Sequence, residues 1–287
     1  MTKTCDRAER RGCAMIAVTL AGLVACGGSA PPNQAAVDLD SANVVQWKLP
    51  KRLKEISGLA FSADERLFAH DDERAVIYQI DWQRGNLVKS FALGDPPLRD
   101  DFEAIAIAGD DFYLMTSNGI LYRAKEGDDG AHVPYTRIDT GLGAQCEIEG
   151  LTWDARRKLL LVACKTARTP ALKGKVAVIA WSPDRQMPDP AAAFAVPVAG
   201  IADRIGLPHF NPSSIEISRD GTRLWLLAGR QAALAQVGLD GEVVSAMRLP
   251  AKLHPQPEGL AIAASGEFII SDEAAQGRGT LVIYRPR

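Results

Sequence analysis

The feature that most constrains this chain is a degenerate repeat. Five segments open on a serine or glutamate and run into a short apolar stretch: SGLAF from Ser57, EAIAI from Glu103, EGLTW from Glu149, SSIEI from Ser213 and EGLAI from Glu258. Their starts lie 46, 46, 64 and 45 residues apart. The long interval holds SPDRQMPDPAAAFA at 182–195, read as an insertion. Each start is followed by a turn and a second apolar run: RLFAH, FYLMT, LLLVAC, RLWLLA and EFIIS. A third run follows, as in AVIYQID, ILYRA, KVAVIAW and TLVIYRP, and a fourth is readable in LVKSFAL and EVVSAMRL.

Four short strands per unit of about 45 residues describe propeller blades. No long stretch carries the 3.6-residue period of an amphipathic helix. The last copy ends after its third strand, and an orphan strand, VVQWKLP at 44–50, precedes the first. The expected fold is therefore all-β: a five-bladed β-propeller of four-stranded blades, closed by an N-terminal strand that completes the last blade. That closure leaves no seam of unpaired strand edges. A sandwich, or a six-bladed ring with one unread copy, is the competing arrangement.

Composition adds mainly exclusions. The 287 residues are 24% charged and 47% apolar with a net charge of -2, so no basic excess points to nucleic acid. The four histidines are scattered without zinc-hydrolase spacing. At the N-terminus, basic residues precede the apolar segment 12–25, which is too short to span a membrane. It ends in Leu23-Val24-Ala25-Cys26, which resembles the lipobox of bacterial lipoproteins. The resemblance implies a signal peptide over 1–25, cleavage before Cys26 and acylation of its thiol; an uncleaved anchor is the alternative. Gly27 after the cysteine implies sorting to the outer membrane. Residues 26–42 then form a lipidated, flexible tether and 43–287 the propeller domain.

The ordered segments KEISGLAFSADERLFAHDDERAVIYQID, RDDFEAIAIAGDDFYLMT, CEIEGLTWDARRKLLLVACK, PSSIEISRDGTRLWLLAGRQAALAQVGLDGEV and PQPEGLAIAASGEFIISDE resemble the SdiA-regulated (YjiK-like) family over residues 52–285. The resemblance implies a β-propeller of the bacterial envelope and leaves the activity open. The chain departs from that pattern at 116–119, where TSNG replaces a more acidic segment.

In a propeller the first strand of each blade lines the central channel and the second runs antiparallel beside it. The starts of the first strands and the ends of the second therefore open on one mouth. Glu103, Glu149 and Glu258, backed by Asp101 and Asp272, are the candidate metal ligands. Oxygen donors without histidine or thiolate partners suit Ca²⁺; the alternative is carboxylates that only staple neighbouring blades. Asp71, Lys165, Arg230 and Glu273 are the candidate ligand-binding residues at the same mouth. A phytase-like phosphoesterase or a lactonase is the competing, enzymatic reading. No GxSxG elbow occurs, and His70, next to Asp71, reads as a rim histidine rather than a base. The expected chain is a monomer, held to the membrane only by its lipid and facing the periplasm.

Cys146 and Cys164 flank the hairpin EGLTWDARRKLLLVA, which brings them opposite one another. In an oxidising envelope a disulfide is expected there, with two buried thiols as the alternative. The five tryptophans are expected to pack between blades.

Overall fold

The computed structural model describes residues 44–274 and 277–286. The strand runs form five antiparallel sheets, one per repeat. Blade 1 comprises β2 (Ile56–Phe61), β3 (Leu67–Asp71), β4 (Val76–Asp81) and β5 (Asn86–Leu93). Blade 2 comprises β6 (Phe102–Ala108), β7 (Asp111–Thr116), β8 (Ile120–Lys125) and β10 (Tyr135–Asp139). Between its last two strands the chain returns to blade 1, where β9 (His132–Val133) runs parallel to β5. Blade 3 comprises β11 (Cys146–Asp154), β12 (Leu159–Ala167), β13 (Lys175–Ser182), β14 (Met187–Pro188) and β15 (Phe194–Pro197). Blade 4 comprises β16 (Ser214–Ile217), β17 (Arg223–Ala228), β18 (Ala233–Gly238) and β19 (Val243–Arg248).

Blade 5 holds β20 (Pro257–Ile262), β21 (Phe268–Asp272) and β22 (Thr280–Tyr284). Its fourth strand is β1 (Val44–Lys48), paired antiparallel with β22 from Val44 opposite Tyr284 to Lys48 opposite Thr280. The two ends of the propeller thus share one sheet, as the orphan strand requires. The insertion in the third repeat is not a bare loop. Both β14 and β15 pair with β13, and the helix α1 (Val198–Ile205) follows. That helix is only eight residues long, too short for its period to stand out in the sequence.

Five apolar clusters account for the core, one at each blade–blade interface. Alternate residues of one inner strand serve two interfaces. Ile105 and Ile107 pack against blade 1, while Ala104 and Ala106 pack against blade 3. Strands covered on both faces read as continuous apolar runs rather than alternating ones, which explains LLLVAC in β12. Outer strands are wetter; β10 is mostly exposed. Trp225 meets Phe268 edge-to-face at 4.8 Å across the interface of blades 4 and 5, a contact of the kind expected of the tryptophans.

Near the axis the inner strands crowd. A side chain at Gly259 would place Cβ 2.4 Å from the Ser57 carbonyl and 2.3 Å from Ser271 Oγ, so only glycine lets blades 5 and 1 approach.

Candidate functional site

The inner strands share an irregularity at one end of the channel. In β6, Phe102 pairs with Thr116 and Ala104 with Met115, leaving Glu103 unpaired. In β11, Ile148 pairs with Cys164 and Gly150 with Ala163, leaving Glu149 out. In β20, Pro257 pairs with Asp272 and Gly259 with Ser271, leaving Glu258 out. Each glutamate is therefore the extra residue of a β-bulge, a device that bends the strand and re-aims a side chain. Blade 1 has a register break between Ile56 and Leu59 at the same place, around Ser57.

The three glutamates converge as the repeat predicts. A cavity of about 120 Å³ is lined by all three together with Glu55, Asp72, Glu273 and Lys165. A second, of about 320 Å³, shares Glu149, Lys165 and Glu258 and extends to Asn211, Arg230 and Gln256. Six carboxyl groups thus face one lysine in the smaller chamber. Lys165 Nζ donates to Glu149 Oε1.

Electrostatics follow from that imbalance. Burial, with the Glu149 and Asp101 carboxylates nearby, pushes Glu103 up to about 9. Burial and Glu149 raise Glu258 to about 7, partly offset by Lys165. Asp72 rises to about 6 through burial and the adjacent Asp71. Burial also lifts Glu149, opposed by its lysine partner. Burial alone would lower Lys165, but its hydrogen bond to Glu149 and the surrounding carboxylates outweigh this and raise it. At neutral pH the mouth therefore holds the Lys165–Glu149 pair and a protonated Glu103, with Glu258 near its midpoint, while Glu55 pairs with Lys54 at its edge.

The other expected site residues divide. Lys165, Glu273 and Arg230 line the two cavities, and Glu273 accepts a hydrogen bond from Gln256 Nε2. Asp101 is exposed, accepts from Ser117 Oγ, and lines neither cavity. Asp71 is buried beneath the turn, accepting the amides of Glu73 and Arg74. Its neighbour Asp72 faces the chamber, because adjacent residues in extended chain point to opposite sides. Asp272 is 1% exposed; its Oδ2 lies 2.8 Å from His254 Nδ1 and its Oδ1 accepts the Gln256 amide. It is spent on a core network rather than offered to a ligand.

His70 is a correction to the sequence reading. It is fully buried rather than on the rim, and its Nε2 accepts the Gly58 amide at 3.0 Å. Burial lowers it to about 4. Glu55, Asn211 and Gln256 were not singled out from sequence. Glu55 precedes its strand and the two amides lie in loops, so no repeat position marks them.

Among the described residues, no three His, Cys, Asp or Glu side chains are gathered closely enough to hold a metal ion. The reason is visible in the partners: Glu149 is committed to Lys165, and Asp101 and Asp272 are engaged elsewhere. A preformed cage of six to eight oxygens, as Ca²⁺ requires, does not fit this arrangement without movement of the glutamates.

The disulfide expected in blade 3 is present. Cys146 and Cys164 are bonded with Cα atoms 5.6 Å apart, next to the bulge that carries Glu149. It pins together the strand bearing Glu149 and the strand bearing Lys165.

Comparison with solved structures shows the propeller fold in glutaminyl cyclase of Myxococcus xanthus. That protein is 13% identical, with 83% of this chain and 93% of that one covered and a TM-score of 0.58. A luciferin-regenerating enzyme is 12% identical over 85% of this chain and 95% of that one, with a TM-score of 0.51. At such identities the likeness concerns fold alone. Comparison with curated protein sequences gave no match. The family described as SdiA-regulated matches residues 38–273, from before the closing strand to the rim of blade 5, and the chain belongs to that family.

Proposed function

We propose that this chain is a lipid-anchored protein of the bacterial envelope whose channel mouth binds a calcium-like ion and a ligand or partner, with no established catalysis. The observation that carries this reading is the set of bulge-mounted glutamates facing one chamber, with Lys165 the sole cation lining it among the described residues. Protons hold that charge in check in the free protein, and a bound cation replaces them. Ca²⁺ is the ion proposed, because the carboxyl set offers only hard oxygens. Its binding requires Glu103 and Glu258 to ionise and close in. Calorimetric titration with CaCl₂ at pH 8, alongside melting, tests this. Heat and a raised Tm that vanish in Glu258→Gln are expected; no heat and no shift at millimolar Ca²⁺ overturn the ion.

The anchor rests on the lipobox-like tetrapeptide ending at Cys26, which lies outside the described residues, as do the signal peptide and tether. Among the described residues, no helix is long and apolar enough to cross a membrane. Acyl labelling lost in Cys26→Ala, with release of the protein from an outer-membrane fraction, is the expected result. Arg230 and Lys165 on the wall of the larger cavity favour one competing reading, hydrolysis of an anionic phosphoester or of a lactone. Turnover in a Ca²⁺-supplemented substrate screen, abolished by Glu149→Gln, would replace the binding reading with that one.

A further inference from the structure

The same inner strands end at the opposite mouth of the channel, and the chemistry there is different. A cavity of about 310 Å³ opens between blades 1 to 4. Its apolar wall comes from Phe61 of β2, Ile105 and Ile107 of β6, Leu151 and Trp153 of β11, and Ile217 of β16, and the rest of the lining is polar. Phe61 and Trp153 are only half-buried, so aromatic surface is left facing the space. Two carboxyl groups, Asp154 on β11 and Glu216 on β16, line the cavity together with Arg156 and Arg219. Glu216 Oε2 accepts from Thr152 Oγ1 at 2.9 Å. Neither Oε1 nor any ion pair ties it to another described residue.

The charged groups around Glu216 have other engagements. Asp154, at the end of β11, is paired with Arg157. Arg219 pairs with Glu65 and lies 5.6 Å over the Phe61 ring, and Arg156 donates to the Asp220 carbonyl. The parts of β2 and β6 that line the cavity bring no titratable group. Burial raises Glu216 to about 8, eased by the Thr152 hydrogen bond and by the charge of Arg219 on the same cavity wall.

A carboxyl group fixed by one hydroxyl beside an apolar, partly aromatic wall complements one class of small molecule. We infer that this second mouth is a binding site for a primary amine with an apolar body, its ammonium on Glu216 and its body against Ile105, Leu151 and the aromatic pair. The ammonium supplies the donor that Oε1 lacks and the counter-charge that makes an ionised, desolvated carboxylate tolerable. The Trp153 ring adds a cation–π component, the Phe61 ring being already covered by Arg219. The volume is at the low end for ligand pockets, which suits a molecule of about ten heavy atoms.

Titration of the full-length chain with phenethylamine at pH 8.5, followed by calorimetry, tests the site. Saturable binding at least tenfold tighter than 2-phenylethanol, with phenylacetate silent, is expected. Glu216→Gln should remove that preference, leaving amine and alcohol equal. Thr152→Val, which keeps the cavity's volume, should weaken the amine severalfold in a protein that melts normally. Glu258→Gln at the acidic mouth should leave phenethylamine binding unchanged, which separates this site from the other one. The inference is overturned by no binding, by equal affinity for amine and alcohol in the unmodified protein, or by phenylacetate binding in preference. It is equally overturned if the amine is lost in Glu258→Gln and kept in Glu216→Gln.

Discussion

Lys165 and Glu149 face each other across the β11–β12 hairpin as a buried ion pair, with side chains only 16% and 4% exposed. The residue preceding Lys165 is a partner in the disulfide that ties the same two strands. Charge and covalent bond therefore hold a single geometry at the mouth. Removing the lysine alone strands a carboxylate in a low-dielectric site, which costs several kcal/mol unless the group protonates. Glu149 is already raised by burial and has that escape. Lys165→Met is therefore expected to lose about 2 kcal/mol at pH 7 in urea denaturation, and less at pH 5. Adding Glu149→Gln to the same protein should recover most of the loss.

The protonated glutamates give the free protein a pH dependence of definite sign. Glu103 and Glu258 have folded values of about 9 and about 7, above their ordinary value of 4.5. Between those limits the folded state holds protons that the unfolded chain has released. Stability is therefore greatest at the acid end of the window and falls as pH rises, by up to about 1.4 kcal/mol per pH unit for each group. Both act from pH 5 to 7. Glu216 at the far mouth acts with them up to about 8, and above 8 Glu103 continues alone. Buried His70, lowered to about 4, opposes them below its ordinary value of 6.5. A Tm series from pH 5 to 9 should decline, and Glu103→Gln should flatten its upper half. An unchanged profile in that variant would contradict the burial of this carboxyl group.

In blade 5, His254 bridges Asp272 and Tyr284, with Nδ1 2.8 Å from Oδ2 and Nε2 2.7 Å from the phenol oxygen. All three are essentially inaccessible to solvent. His254→Leu leaves a carboxylate and a hydroxyl unsatisfied in the core and is expected to cost about 3 kcal/mol. Asp272→Asn should also lower Tm yet leave Ca²⁺ titration heats unaltered, since this carboxylate does not face the chamber.

The Cys146–Cys164 bond closes a loop with a sequence separation of 18. Replacing both cysteines by alanine should destabilise the domain by about 3 kcal/mol, on the chain-entropy estimate for a loop of that size. Alkylation under native, oxidising conditions should leave both thiols unmodified.

Much of the fold was legible because blade geometry repeats. Strand pairs recur at the spacing of Ser57, Glu103, Glu149, Ser213 and Glu258, and strands covered on both faces declare themselves as unbroken apolar runs. The orphan strand at the N-terminus required a partner, and β22 lacked one. The disulfide was legible because a hairpin lays its two arms side by side, although bulges shift the register so that Cys146 lies opposite Ala167 and Cys164 opposite Ile148. The decorations of blade 3 were not, since β14 and α1 are too short to impose a period.

The site divides along the same physical line. Spacing along the chain puts three glutamates in equivalent places at the head of inner strands, because equivalence within a repeat is a matter of spacing. Only the tertiary structure decided what each acid does there. Bulges turned Glu103, Glu149 and Glu258 into the channel, while a pairing partner 18 residues away turned Asp272 toward His254. Alternation along an extended chain sent Asp72 to the chamber and Asp71 beneath a turn. Glu216 sits mid-strand in SSIEI and carries no mark in the sequence. Its lack of an ion-pair partner among the described residues depends on where blades 1 to 4 place their side chains, and local sequence does not encode such distances between blades.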